Sequence, residues 1–174
     1  MGGHIIVFGT SHNLQGPENA PHRKTIDDPT YDYLVSELLE GKDFVFEEAS
    51  GMGPTKAERL TLRHLGPDRY LDVDPHADRR DEFGIGKTGA SREIEASNPD
   101  PLVVVFQDEQ AKRELLWLKK IAEKKCHNAL FICGYLHTLS MAFRLDSAGY
   151  EVQTYYYTPF RKLCGRQHAD DSGL

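Results

Sequence analysis

Two stretches at opposite ends of the chain share one form, and together they restrict the fold more than any other feature. Residues 129–133 (Ala-Leu-Phe-Ile-Cys) have the length and bulk of a strand buried on both faces, and Gly134-Tyr135-Leu136-His137 follows directly. Residues 4–8 (His-Ile-Ile-Val-Phe) are a second such run, followed by Gly9-Thr10-Ser11-His12. A lone Gly-x-x-His says little. Two of them, each directly behind one of the two best buried-strand runs, point to one device used twice. Glycine permits a tight exit from the strand, and the third residue onward is carried over the sheet edge. Behind His137, Thr138 is placed to cap a helix in which Leu139, Ala142, Phe143 and Leu145 recur at helical spacing. Gly149 ends that helix where a positive φ is often wanted, and residues 150–156 read as another strand. The whole is a βαβ unit with an imidazole at the carboxyl end of its first strand, where open α/β sheets bind ligands.

The chain between the two copies reads as alternating helices and strands. Residues 13–29, rich in Gly, Pro and Asn, form a long loop leaving His12, placed to touch a substrate through His22 and Arg23. Asp27 or Asp28 with Pro29 starts a helix whose apolar face is Tyr31, Leu34, Val35, Leu38 and Leu39, ended by Gly41. Phe44-Val45-Phe46 is a second strand with Glu47-Glu48 at its exit, and residues 55–65 form an amphipathic helix carrying Ala57, Leu60 and His64. Residues 70–74 alternate like a third strand. A short helix is expected around residues 91–97. Residues 102–106 are β-branched enough for a strand, yet Asp100-Pro101 is also a good helix start; from about 108 to 125 a helix is expected, with Leu115, Leu118, Ile121 and Ala122 facing the core. These features predict a three-layer α/β domain over residues 1–158, with a largely parallel sheet and the site at its carboxyl edge. Residues 159–174 are expected to be a polar, flexible tail.

Composition narrows the functional classes. A chain of 174 residues is one domain, large enough to bury about two thirds of its unfolded surface. A net charge of −6 gives no electrostatic case for nucleic acid. No apolar run approaches the ~20 residues of a membrane helix, and the N-terminus has no secretion-signal pattern. Three cysteines without paired spacing fit a reducing compartment, so a cytoplasmic protein is expected. Cys133 reads as a small apolar residue in a buried strand. Residues 84–88 (Gly-Ile-Gly-Lys-Thr) resemble a phosphate loop, but the motif needs a glycine where Asp81 stands and a buried strand ahead of it.

His12 and His137 are the first candidates for chemistry. Glu47 and Glu48 come next, as a ligand or a general base beside the imidazoles; Glu47 ranks first because it follows the apolar run directly. Arg113, flanked by Lys112 and Glu114, reads on its own as a surface charge. Asp72-x-Asp74-x-His76 adds oxygen and imidazole groups near another strand end, although acidic residues there also serve as helix caps.

The ordered set resembles a superfamily that includes TraB and Tiki-type proteins, erythromycin esterase-like enzymes and the ChaN haem-binding lipoproteins. Its members carry paired Gly-x-x-His motifs, a glutamate at the end of the second strand and an arginine on a later helix. Here the matching positions are His12 and His137, Glu47 or Glu48, and Arg113. The resemblance implies a hydrolase acting on a small-molecule, ester or peptide-like substrate, with Arg113 positioning substrate or stabilising developing negative charge. Ser11, Tyr135, His22 and Arg23 are the expected substrate contacts. Two versions follow. In the Tiki-like one a divalent metal (manganese, iron, cobalt or zinc) activates water, with His12, His137, Glu47, Asp74 and His76 as candidate ligands; in the esterase-like one a histidine is a metal-free base. The alternative from the ChaN side is a non-catalytic module holding a ligand, metal or haem. Neither nucleic acid nor membrane is an expected partner, and a homo-oligomer is compatible with the sequence.

Overall fold

A computed structural model describes residues 2–16, 26–51, 53–85 and 99–159 of the chain. The two apolar runs become neighbours: β1 (His4–Thr10) lies parallel to β4 (Asn128–Gly134), with Gly9 opposite Cys133 and Thr10 opposite Gly134. β5 (Glu151–Tyr157) pairs with the other side of β1, and β2 (Phe44–Glu47) lies between β4 and β3 (Tyr70–Asp72). The order across the sheet is β3-β2-β4-β1-β5 and every pairing is parallel. All strands therefore end on the same rim, as a three-layer α/β fold requires.

Helices cover both faces, and the strand residues sort between them by alternation. Ile5, Val7, Phe44, Phe46, Ala129, Phe131 and Cys133 pack under α4 (Pro99–Lys124) and α5 (Thr138–Ser147), through Trp117, Ile121, Met141 and Leu145. Ile6, Phe8, Val45, Leu130 and Ile132 point the other way. They meet Leu14 of α1 (His12–Gln15), Tyr31, Val35 and Leu39 of α2 (Pro29–Leu39), and Ala57 of α3 (Lys56–His64). A strand clad on both sides needs an uninterrupted apolar run, which is why β1 and β4 stand out in the sequence. Burial pushes the Cys133 thiol up, so it serves as a small apolar residue there. Asp28 caps α2, accepting the amides of Thr30 and Tyr31, and Thr55 caps α3, accepting that of Glu58.

Several expectations are corrected in detail. Residues 102–106, open between strand and helix in the sequence, lie inside α4. The inward face of that helix is Glu114, Trp117 and Ile121, while Leu115 and Ala122 are exposed. In α5 the buried apolar residues are Met141 and Leu145, and Phe143, 74% exposed, faces outward with Leu139. Trp117 and Met141 take the apolar positions and rotate each helix away from the leucine-based phase. Thr138 does not cap α5; it is already helical and its hydroxyl donates to the Tyr135 carbonyl. His64 is exposed on α3, and β3 stops at Asp72 because the chain turns there to bring Asp74 inward. Residues 12–15 form a helical turn where a loop was expected from 13. The helix expected at 91–97 and the tail from 160 onward lie outside the described residues. Among the described residues no helix is long and apolar enough to cross a membrane.

The phase of α5 is open to direct test. Leu145→Ala should cost about 2–5 kcal/mol by urea unfolding, whereas Phe143→Ala should stay within about 0.5 kcal/mol of wild type; equal losses would mean the helix is rotated.

Candidate functional site

The carboxyl rim gathers side chains from five segments. His12 opens α1, and its Nδ1 lies 2.8 Å from Gln15 Oε1, three residues on along the same turn. His137 ends the turn behind β4; its Nδ1 lies 2.8 Å from Glu114 Oε1 and its ring stands edge-on to Trp117 at 4.9 Å. A carboxylate only accepts, so His137 carries its hydrogen on Nδ1. The Gln15 amide nitrogen is turned to Glu47 at 3.2 Å, which leaves its oxygen for His12 and puts that hydrogen on Nδ1 as well. Each neutral ring then presents a lone pair on Nε2.

Both Nε2 atoms lie near one oxygen. Glu48 Oε1 is 3.8 Å from His12 Nε2 and 3.7 Å from His137 Nε2. Both distances exceed a hydrogen bond, and the two nitrogens are no further apart than those lengths laid end to end. The Glu48 carboxylate is fixed on both oxygens: Arg113 Nη2 donates to Oε1 at 2.6 Å, and the Gly134 amide donates to Oε2 at 2.9 Å. Arg113 is clamped in turn, with Nε and Nη2 each 3.0 Å from an oxygen of Asp74 and the guanidinium 5.0 Å from the Trp117 ring centroid. Asp74 also accepts from Arg80, Trp117 Nε1 and the Ser50 hydroxyl. Burial would raise Asp74, but Arg113, Ser50 and Arg80 outweigh it and hold the carboxyl below its ordinary range. Glu114 is likewise raised by burial and pulled below its usual value by His137, Ser140 and Arg144.

The Gly-x-x-His glycines do not act through an unusual backbone, since neither has a positive φ. Their role is clearance. A Cβ on Gly134 would lie 2.6 Å from His12 Nε2, and one on Gly9 would lie 2.0 Å from the Thr138 hydroxyl beside His137. Each motif's glycine makes room for the other motif.

The site unites His12, His137, Glu48 and Arg113, and Asp74 joins through Arg113. Glu47 is the reverse of its expected rank. Strand alternation turns it to the opposite face, where it is fully buried and accepts from Gln15, Thr55 and Tyr70. Burial, only partly offset by those bonds, raises it to about 7. His76 packs against Gly51 and pairs with Asp78 at the surface, so it does not join the imidazoles. Ser11 and Tyr135 line a cavity of about 430 Å³ together with Asn13, Ile26, Thr158 and Pro159. His22 and Arg23 lie outside the described residues. Gln15 and Glu114, the two Nδ1 partners, went unread in the sequence. The available signals were the i,i+3 spacing of His12 and Gln15, and Glu114 lying three residues before Trp117 on one helix face.

A divalent metal is a poor fit to this donor set. Its carboxylate ligand would be Glu48, whose Oε1 already takes the Arg113 cation at 2.6 Å. Among the described residues no group of three or more His, Cys, Asp or Glu side chains is arranged to hold an ion. Comparison with protein-family models, curated proteins and solved structures returns no match.

Glu47 gives the site a pH signature. Its folded value of about 7 stands above the ordinary 4.5. Its contribution to stability is therefore full below about pH 4.5 and is lost as pH rises through 7, a swing on the order of 3 kcal/mol. Urea unfolding at about pH 5 and about pH 8 should show Glu47→Gln gaining on wild type at the higher pH by a sum of this order; a pH-independent difference would mean the carboxyl is not raised.

Proposed function

We propose that the chain is a metal-independent hydrolase of uncharged small-molecule esters or peptide-like substrates, with His12 as the general base. The observation that carries this reading is the convergence of two Nε2 lone pairs on one anchored carboxylate. Two acceptors facing one gap suit a donor with two hydrogens, and water is the smallest. His12, with 41% of its side chain exposed against 6% for His137, is the more accessible ring, and its chain neighbours Ser11 and Asn13 line the cavity. The described lining of that cavity offers hydroxyls, an amide and apolar carbon but no formal charge, which favours a neutral substrate.

In this reading water donates one hydrogen to each Nε2. His12 takes its proton as the water oxygen bonds to the substrate carbonyl carbon, and the carbonyl π electrons move to oxygen. Collapse of the tetrahedral adduct breaks the bond to the leaving alcohol or amine, which recovers the proton from His12. Glu48 opposes the positive charge that builds on the imidazole. Arg113, with Nε and Nη2 committed to Asp74 and Glu48, acts as a positioning residue for Glu48 and not as the substrate or anion clamp that the resemblance implies. A histidine as metal-free base is also what the resemblance to erythromycin esterase-like enzymes implies, although the role of Arg113 differs.

Wild-type protein should hydrolyse short p-nitrophenyl esters, and His12→Ala should lower kcat/KM by about 10²–10⁴ with little change in Tm. His137→Ala should also lose activity. Unaltered turnover in His12→Ala, or ligand binding with no turnover, sinks the reading. Activity should survive EDTA in protein holding less than about a tenth of an equivalent of any transition metal; loss on chelation would restore the metal version.

A further inference from the structure

A neutral imidazole has one N–H, and only the other nitrogen can take a proton. Which nitrogen is which depends on the partner of the first. His137 has a charged partner in Glu114; His12 has the neutral amide of Gln15. An amide can serve either way, because one end donates and the other accepts. Something must therefore decide how Gln15 is turned.

Its surroundings do so. The Gln15 side chain is fully buried within the α1–α3 face of the sheet. Its nitrogen lies 3.2 Å from Glu47 Oε1 and 3.5 Å from the Glu48 backbone oxygen. The Thr55 and Tyr70 hydroxyls both donate to Glu47 Oε2, leaving Oε1 for the amide. With Glu47 ionised, as it is above about pH 7, a flipped amide would set oxygen against oxygen at both contacts and turn its NH2 to His12.

We propose that Gln15 is a positioning residue that locks His12 in the Nδ1–H tautomer, with the Glu47 carboxyl and the Glu48 backbone carbonyl setting the sense of its amide. The consequence is that Nε2 of His12 is presented as an acceptor in the resting protein. Using an amide for this fixes the tautomer without adding an anion behind the ring. The kinetic part rests on His12 being the base; the tautomer itself is a property of the protein without substrate.

The test is a long-range ¹H–¹⁵N correlation spectrum of the ¹⁵N-labelled full chain at about pH 8, above the ordinary imidazole range, with His12 assigned by its loss in His12→Gln. Nδ1 of His12 should be pyrrole-like and Nε2 pyridine-like. In Gln15→Met the two should exchange character at least in part, and in Gln15→Glu, which keeps an acceptor, they should not. Gln15→Met should also lower kcat about tenfold or more at nearly unchanged KM. A pyridine-like Nδ1 in wild type overturns the proposal, even if the variants fail to fold. An unmoved Nδ1–H form in folded Gln15→Met overturns it equally. The expected tautomers with no turnover of any ester would support the positioning role and remove the hydrolytic reading instead.

Discussion

The Glu48 carboxylate is the interaction on which the rim depends. Its two oxygens are reached by the amide of the second Gly-x-x-His motif and by a guanidinium from the long helix, while both imidazoles face one of them. A buried carboxylate is tolerable only with such compensation. Removing Arg113 would take the guanidinium from Glu48 and two donors from Asp74, and removing Asp74 would take from Arg113 and Arg80 the carboxylate they share. The ion network is thus a single mechanical piece spanning β2, the segment after β3, and α4. Its anchored carboxylate is the group that both imidazole rings face.

The two sides of the sheet divide the labour. Toward α4 and α5 the groups are ionic, and their partners keep Asp74 and Glu114 charged. Toward α1–α3 the groups are hydroxyls, an amide and a carboxyl raised by burial. His12 is the side chain that touches both, with Nδ1 toward the neutral side and Nε2 toward the charged one. The alternation of Glu47 and Glu48 at the end of one strand makes this possible, because neighbouring residues leave on opposite faces.

The sequence displayed the sheet well and the helix faces less well. Apolar runs at 4–8 and 129–133 are legible because a doubly covered strand leaves no room for polar residues. Helix phase depended on whether Trp117 and Met141 or the neighbouring leucines face inward, which pattern alone leaves open when both sets are apolar. The pairing of His12 with His137 was legible from repetition. The choice between Glu47 and Glu48 was not, since it turns on the residue at which the strand pleat ends. Gln15 and Glu114 were hidden for another reason: each acts through an imidazole, and an isolated glutamine or a glutamate in a charged helical stretch carries no mark of that.

Strand order has a consequence for how the chain is made. Among the described strands β1 comes first in the chain, yet both of its partners, β4 and β5, come from beyond residue 127. During translation both its edges, and the face that meets α4 and α5, must wait until most of the described chain has emerged. Parallel pairings over such separations form slowly, and an unpaired apolar edge invites association with other chains. The segment that carries His12 therefore waits longest for its strand partners, and the rim cannot come together before His137, behind β4, has emerged.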